Sequence, residues 1–205
     1  MKDLMIWCTC AETHKEVYLH RVEQWYKQVR VLFEGYKPDY YVFVDGMLTE
    51  QDTNRPEFIG ITFICLTPRL GFRGVGRFDG WRRSLKAALE FSRMYNHCVH
   101  IESDVKILHT ENIFKYIKED GFFAGLCKMC NFVETAFMIL NDKEVNEKII
   151  AYYSDEKNML GYNIPEQVVW ILAKNDCKLV FQTDRIEGNP NRFNPNYDYV
   201  CQYDV

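Results

Sequence analysis

No apolar run in the chain approaches the roughly 20 residues that cross a membrane, and no secretory leader is expected, since Met1-Lys2-Asp3 leads straight into an apolar segment. The expectation is a soluble, cytoplasmic protein without a membrane span. Excess positive charge is also lacking. The 25 Lys and Arg are outnumbered by 29 Asp and Glu, for a net charge of −4. A nucleic-acid partner, which calls for a basic stripe, is therefore not expected. No GxGxxG follows the first apolar segment and no GxxxxGK[ST] occurs anywhere, so neither a Rossmann dinucleotide site nor a P-loop has support. Residues 9–15 contain no glycine, unlike the phosphate-cradling first loop of nucleotidyltransferases. The eight cysteines are scattered, and the single CxxC, Cys127 to Cys130, has no second pair at zinc-site spacing. Buried free thiols in a reducing compartment are the expectation. There is no internal repeat, low-complexity stretch or linker. The 205 residues read as one domain, 1–205, with room for one sizeable core.

What is present is an alternation of strand and helix signals. Residues 4–10 (LMIWCTC) form a buried strand, with Cys8 and Cys10 on one face. Thr13-x-x-Glu16 is a capping-box pattern, and Val22, Tyr26, Val29 and Phe33 recur at helical spacing through Glu34, where Gly35 and Pro38 stop the helix. Strands follow at 40–44 and within 59–66. A Gly- and Arg-rich loop, 71–80, leads into a helix through Trp81, Leu85, Ala88 and Leu89 up to about Tyr95. Further strands are read at 98–101, 122–126, 135–140 and 178–183, with helices near 113–117, 143–153 and 165–174. The loop through Gly161 and the tail from Asp184 read as irregular. Such alternation implies an α/β domain with a mostly parallel central sheet and helices on both faces. Ligands then collect at the carboxyl ends of the strands. That edge holds Thr9-Cys10-Ala11, Asp45-Gly46 and Glu102-Ser103-Asp104.

The acidic tripeptide is the chemically loudest signal. Two carboxylates one residue apart at a strand exit both reach one divalent cation if the backbone bends there. Hard cations such as Mg²⁺ and Mn²⁺ take oxygen ligands and share them with substrate phosphates. The bland alternative, a polar turn between strands 98–101 and 105–108, stands beside it. Five arginines between residues 69 and 83 (Arg69, Arg73, Arg77, Arg82 and Arg83) suit diphosphate binding, since a guanidinium grips phosphate with two parallel bonds. Arg82 is expected to face solvent. His100 is read as a core histidine pointing away from the carboxylates.

Together these residues resemble the GT-A fold of nucleotide-sugar glycosyltransferases. The segment YNHCVHIESDVKIL, 95–108, is similar to that family's metal-binding DxD segment. NFVETAFMIL, 131–140, resembles its strand of sugar- and acceptor-facing polar residues. YNIPEQVVWIL, 162–172, resembles the helix start seen in several retaining members. Within the family the whole chain is similar to the amino-terminal glycosyltransferase domains of chlorovirus capsid-glycosylating proteins. That implies one module of a longer polypeptide, a host-cytoplasmic location and a capsid glycan as acceptor.

The resemblance implies Asp104 as the principal ligand of Mn²⁺ or Mg²⁺, and Glu102 as a second contact to metal or ribose. Ser103 would lie beside the donor. Thr9, Cys10 and Ala11 would line base and ribose, with Asp45 bonding base or sugar. Arg77, Asp79 and Arg83 would flank the diphosphate. Glu134 would face the acceptor and, in an inverting enzyme, serve as base. Glu166 would bind a donor-sugar hydroxyl, with Gln167 beside it; this pair tilts the reading toward retention. The family's further ligand, often a late histidine, is missing, because no His follows His109. Asp184, Asp198 or a tail asparagine would stand in for it. Family frequency favours UDP as carrier of a hexose or deoxyhexose. Loop 71–80 is expected to close over the donor. Two rivals remain: another metal-dependent nucleotide enzyme, nucleotidyltransferase or phosphohydrolase, and a non-catalytic carbohydrate-binding module.

Overall fold

A computed structural model describes residues 2–11, 14–71, 78–127, 131–160, 164–173, 176–186 and 194–201. The first half runs β1 (Lys2–Ala11), α1 (Lys15–Leu32), β2 (Asp39–Asp45), α2 (Glu50–Thr53), β3 (Ile61–Leu66), α3 (Asp79–Ser92) and β4 (Tyr95–Ile101). The second half runs β5 (Lys106–Ile107), α4 (Glu111–Tyr116), β6 (Phe122–Cys127), β7 (Phe132–Leu140), α5 (Lys143–Ser154), α6 (Glu156–Met159), α7 (Pro165–Ala173), β8 (Cys177–Phe181), β9 (Thr183–Arg185) and β10 (Tyr199–Cys201). Among the described residues no helix is long and apolar enough to cross a membrane.

Seven strands form one sheet in the order β3-β2-β1-β4-β7-β6-β8. β1 pairs in parallel with β2 and β4, β2 with β3, and β6 with β8, while β7 runs antiparallel to both β4 and β6. The alternation of β1 builds two cores. Leu4, Ile6, Cys8 and Cys10 pack toward α1, which presents Leu19, Val22, Trp25, Tyr26 and Val29 at helical spacing. Met5 and Trp7 point the other way, into a core closed by Leu85, Ala88 and Leu89 of α3, Val145 and Ile149 of α5, and Val168 and Val169 of α7. Each fully buried aliphatic side chain contributes about 2 kcal/mol. Together they fix which ends of the strands form the open edge. The α/β architecture with helices on both faces stands as read from the sequence.

Several local expectations are corrected. His14, with a left-handed backbone and no side-chain cap, precedes α1, which ends at Leu32 and not Glu34. The capping box belongs to α2, where Thr49 and Asp52 bond each other's backbone N–H. Tyr95 opens β4 and is not the end of α3, and α6 occupies part of the expected loop before Gly161. The tail contributes β10, which joins β5 and β9 in a second, three-stranded sheet. Arg82 does not face solvent. It is fully buried, 3.5 Å from Asp79 and donating to the Met159 carbonyl at 3.1 Å, because α3 turns that face onto α6.

Two features shape the open edge. The strand order reverses between β1 and β4, and such a switch point leaves a crevice beyond the carboxyl ends. In β7, the pairing with β6 jumps from Met138 opposite Ala124 to Glu134 opposite Gly125. Residues 135–137 therefore bulge out of that ladder, and Thr135 and Ala136 line the crevice, as bulges commonly re-aim side chains. The Ala136 carbonyl accepts from Glu102 N–H at 2.8 Å, which binds the bulge to the end of β4.

Candidate active site

The crevice consists of two adjoining cavities of about 470 and 440 Å³ that share Thr9, Tyr18, Phe78 and Trp81. Cys10, Ala11, Asp45 and Arg69 line the first. Glu102, Ser103, Asp104, Glu166, Arg21 and Arg185 line the second. The carboxyl ends of β1, β2 and β4 thus meet the start of α7 and the end of β9 in a single groove.

Glu102 is the keystone of the second cavity. Its Oε2 accepts from Thr9 Oγ1 at 2.7 Å, and its Oε1 accepts from Trp81 Nε1 at 2.6 Å. His100 Nε2 lies 3.0 Å from the same Oε1. This corrects the expectation that His100 points away: residues i and i+2 of a strand share a face, and the ring is aimed at the acid. His100 is fully buried, stacked on Trp7 with centroids 4.0 Å apart, and its Nδ1–H donates to the Thr135 carbonyl at 2.9 Å. Burial pushes the Glu102 carboxyl up, but His100, Thr9 and Trp81 outweigh it and hold it below the ordinary carboxylate range.

Asp104 differs in kind. No other side chain donates a hydrogen bond to it among the described residues. Burial, then the nearby Glu102 charge, pushes its carboxyl up to about 6, against the pull of Arg21. An acid-lined pocket of this kind offers a site to a cation. Among the described residues no cluster of three His, Cys, Asp or Glu side chains is placed to hold a metal. The donor set still fits a hard cation of the kind that takes one or two carboxylates and completes its shell with water and substrate phosphates. Neither Asp184 nor Asp198, expected to stand in for a late histidine, is among the residues that line this cavity. Asp198 accepts from Asn112 at 3.0 Å and from Gln182 N–H at 2.7 Å, and Asp184 accepts from Arg185 N–H at 2.9 Å.

The residues expected at the diphosphate are distributed otherwise. Asp45 accepts from Leu70 N–H at 3.0 Å and Gly71 N–H at 2.6 Å, which ties the loop after β3 to the end of β2. Arg83 donates to Asp45 at 2.5 Å, to the Pro68 carbonyl at 2.5 Å and to the Leu66 carbonyl. Both act as a brace for the groove's rim. Asp79 is fully buried beside Arg82 and does not line the groove. Arg77, Arg73 and the expected closure of loop 71–80 lie outside the described residues, as do Asn163 and the CxxC loop.

Glu134 does not present a free base. It is 1% exposed, and Arg185 holds it with Nε and one terminal nitrogen, each at 2.8 Å. The same Arg185 donates to Glu166 Oε1 at 2.5 Å. Glu166 lines the groove, whereas Gln167, half-buried on α7, does not. Cys10 lines the groove as an inert thiol, pushed up to about 12 by burial, and all six cysteines at described side chains are free.

A glycosyltransferase involved in glycosylation of the major capsid of PBCV-1 superposes with a TM-score of 0.59 at 10% identity, over 99% of this chain and 94% of that one. A protein of Desulfovibrio desulfuricans G20 named for nucleotide-diphospho-sugar transfer gives 0.50 at 9% identity, over 86% and 79% of the two chains. The fold is that of nucleotide-sugar transferases. No protein-family profile matches the chain, and neither does any curated protein sequence.

Sequence reading missed Arg185, Arg21 and Tyr18 as groove residues, and Trp81 as a partner of Glu102. Arg21 and Tyr18 belong to the helix after β1 and carry no motif. Arg185 sits in a tail with no periodic signal. Trp81 read only as the apolar face of α3.

Proposed function

We propose that the protein is a glycosyltransferase. It moves a hexose or deoxyhexose from a nucleotide-diphosphate sugar, with UDP the favoured carrier, to a hydroxyl of a glycan or glycoprotein. The observation that carries this reading is the groove at the β1–β4 switch point. There an acid held by Thr9 and Trp81 stands beside a second acid, Asp104, to which no side chain among the described residues donates a hydrogen bond. The transferase fold supports it.

In this reading the first cavity takes the nucleoside, against Thr9, Cys10 and Ala11, with the rim kept in place by Asp45 and Arg83. Asp104 would hold Mn²⁺ or Mg²⁺, with Glu102 as the second carboxylate of the site. When bound, the cation offsets negative charge on the departing nucleoside diphosphate. Arg21, in the same cavity, adds positive charge at that end. Glu102, fixed by three neighbours, keeps the β1 and β4 ends in register for the donor. Engagement of Glu134 by Arg185 leaves no free carboxylate base on β7, which favours retention over inversion. The acceptor is proposed to be a glycan hydroxyl, with a viral capsid glycan the first to try, by analogy with the PBCV-1 neighbour.

The test is nucleotide release from UDP-glucose, UDP-galactose and GDP-mannose with Mn²⁺, with and without a glycan acceptor. Release stimulated by acceptor and abolished by EDTA supports the reading. Metal-independent release, or none from any donor, contradicts it.

A further inference from the structure

We infer that Arg185 is a positioning residue that fixes Glu166 as the hydroxyl acceptor for the donor sugar. The inference rests on the glycosyltransferase reading and deepens it by naming what recognises the sugar.

Three elements converge on this guanidinium. Glu134, opposite Gly125, is the last paired residue before the β7 bulge. Glu166 lies in the first turn of α7 and lines the groove with Asp104 and Glu102. Arg185 ends β9, in the second sheet, and reaches between the two acids. It grips Glu134 through two 2.8 Å bonds and Glu166 through one of 2.5 Å. Its side chain is 19% exposed, against 1% for Glu134 and 13% for Glu166. The fork is anchored on the buried acid, and the terminal nitrogen that completes it also bonds the acid beside the groove.

The chemistry follows from what this leaves open. A carboxylate is an acceptor only, and one oxygen of Glu166 is engaged by Arg185. The Oε2 oxygen has no hydrogen-bond partner among the described residues. A sugar offers hydroxyl donors in a fixed array, and one fixed acceptor oxygen discriminates among them. With one oxygen held by a guanidinium and the other open, Glu166 is placed to accept a hydroxyl donor. Both Nε and a terminal nitrogen of Arg185 are already committed, so the donor phosphate is left to other groups. The second sheet thereby acquires a purpose: it delivers Arg185 to the groove.

The test compares a nucleoside diphosphate with its own sugar conjugate by calorimetry in Mn²⁺: UDP against UDP-glucose and UDP-galactose, and GDP against GDP-mannose. Arg185→Met alone strands the buried Glu134 charge, which threatens folding. The informative variant is therefore Glu134→Gln with Arg185→Met, a neutral pair, alongside Glu166→Gln and Arg185→Lys. The expected result is unchanged diphosphate affinity in all variants. Affinity for the sugar conjugate should fall about tenfold in Glu166→Gln and in the neutral pair, the size of one lost charge-assisted bond. Arg185→Lys, which keeps charge but loses the fork, should fall between. Unchanged conjugate affinity in Glu166→Gln, or in a folded neutral pair, overturns the inference and leaves the transferase reading standing. A wild-type protein that binds no diphosphate overturns both.

Discussion

Thr9 donates a 2.7 Å hydrogen bond to Glu102 across the point where the strand order reverses. The bond ties the end of β1 to the residue after β4, and Trp81 closes on the same carboxylate from α3. Glu102 thus works first as a joint between three elements. Its side chain, one methylene longer than that of aspartate, has the reach to meet both partners.

Replacing Glu102 by Ala is therefore expected to cost stability as well as nucleotide affinity. It leaves the Trp81 N–H and the Thr9 hydroxyl without their acceptor, a loss of about 1–3 kcal/mol. Glu102→Asp keeps the charge and should be milder on both counts. Urea unfolding, together with nucleotide affinity at fixed Mn²⁺, checks this. Equal effects of the two substitutions would reduce Glu102 to a turn residue.

Gly125 sits where the β6 register jumps, and its lack of a side chain is a packing requirement. A Cβ there would lie 2.5 Å from Thr183 Cγ2 and 2.6 Å from Tyr199 Oη, both buried in the second sheet. Gly125→Ala should destabilise by about 1–3 kcal/mol through overpacking. It should also displace β9, and with it Arg185. A variant with wild-type unfolding midpoint and wild-type activity would contradict the tight approach of the two sheets.

Arg83 is expected to behave as a brace and not as a phosphate ligand. Its contacts are Asp45 and the carbonyls of residues 66 and 68, at the rim. Arg83→Ala should lower stability by about 1–3 kcal/mol, since it strips a charged donor from a buried acid. Nucleoside and nucleoside diphosphate should weaken alike. Selective loss of diphosphate affinity would return Arg83 to the role the sequence suggested.

Asp52 predicts a pH dependence away from the groove. Bonds from Thr49, backbone first and then hydroxyl, with Lys15, hold its carboxyl down to about 2. A carboxyl depressed in the folded state stabilises above its unfolded value near 4, and that contribution disappears as pH falls toward 2. Wild type should lose stability over this window more steeply than Asp52→Asn. At neutral pH the substitution should cost about 1 kcal/mol, the value of a helix cap. Parallel slopes for the two proteins between pH 4 and pH 2.5 would contradict the assignment.

What the sequence revealed follows physical range. Strands β1, β2 and β4 were legible because both their faces are buried, which leaves unbroken apolar runs such as LMIWCTC and YYVFV. The acids at their ends were legible because strand exits in parallel sheets mark the ligand edge. Long-range pairing was not. Nothing near Arg185 announces that it will meet Glu134, 51 residues earlier, or that β10 will join β5 across the chain. Arg82 and Arg83 were read by residue type alone, one as solvated and one as a phosphate ligand. Their burial against Asp79 and Asp45 depends on how α3 packs, which periodicity hints at but does not determine.

The central claim, a donor nucleotide held through a cation at Asp104, is tested most directly by thermal unfolding of wild type and Asp104→Asn. Each is heated with UDP, GDP, CMP and ATP, with and without Mn²⁺. Ligands that bind the folded state raise the midpoint by mass action. The account predicts that one sugar-carrier nucleotide raises the wild-type midpoint only when Mn²⁺ is present. In Asp104→Asn, that rise should vanish while the unliganded midpoint stays the same or increases, because the substitution removes a charge that burial disfavours. A nucleotide shift that survives in Asp104→Asn, or no Mn²⁺-dependent shift in wild type with any of the four, would contradict it.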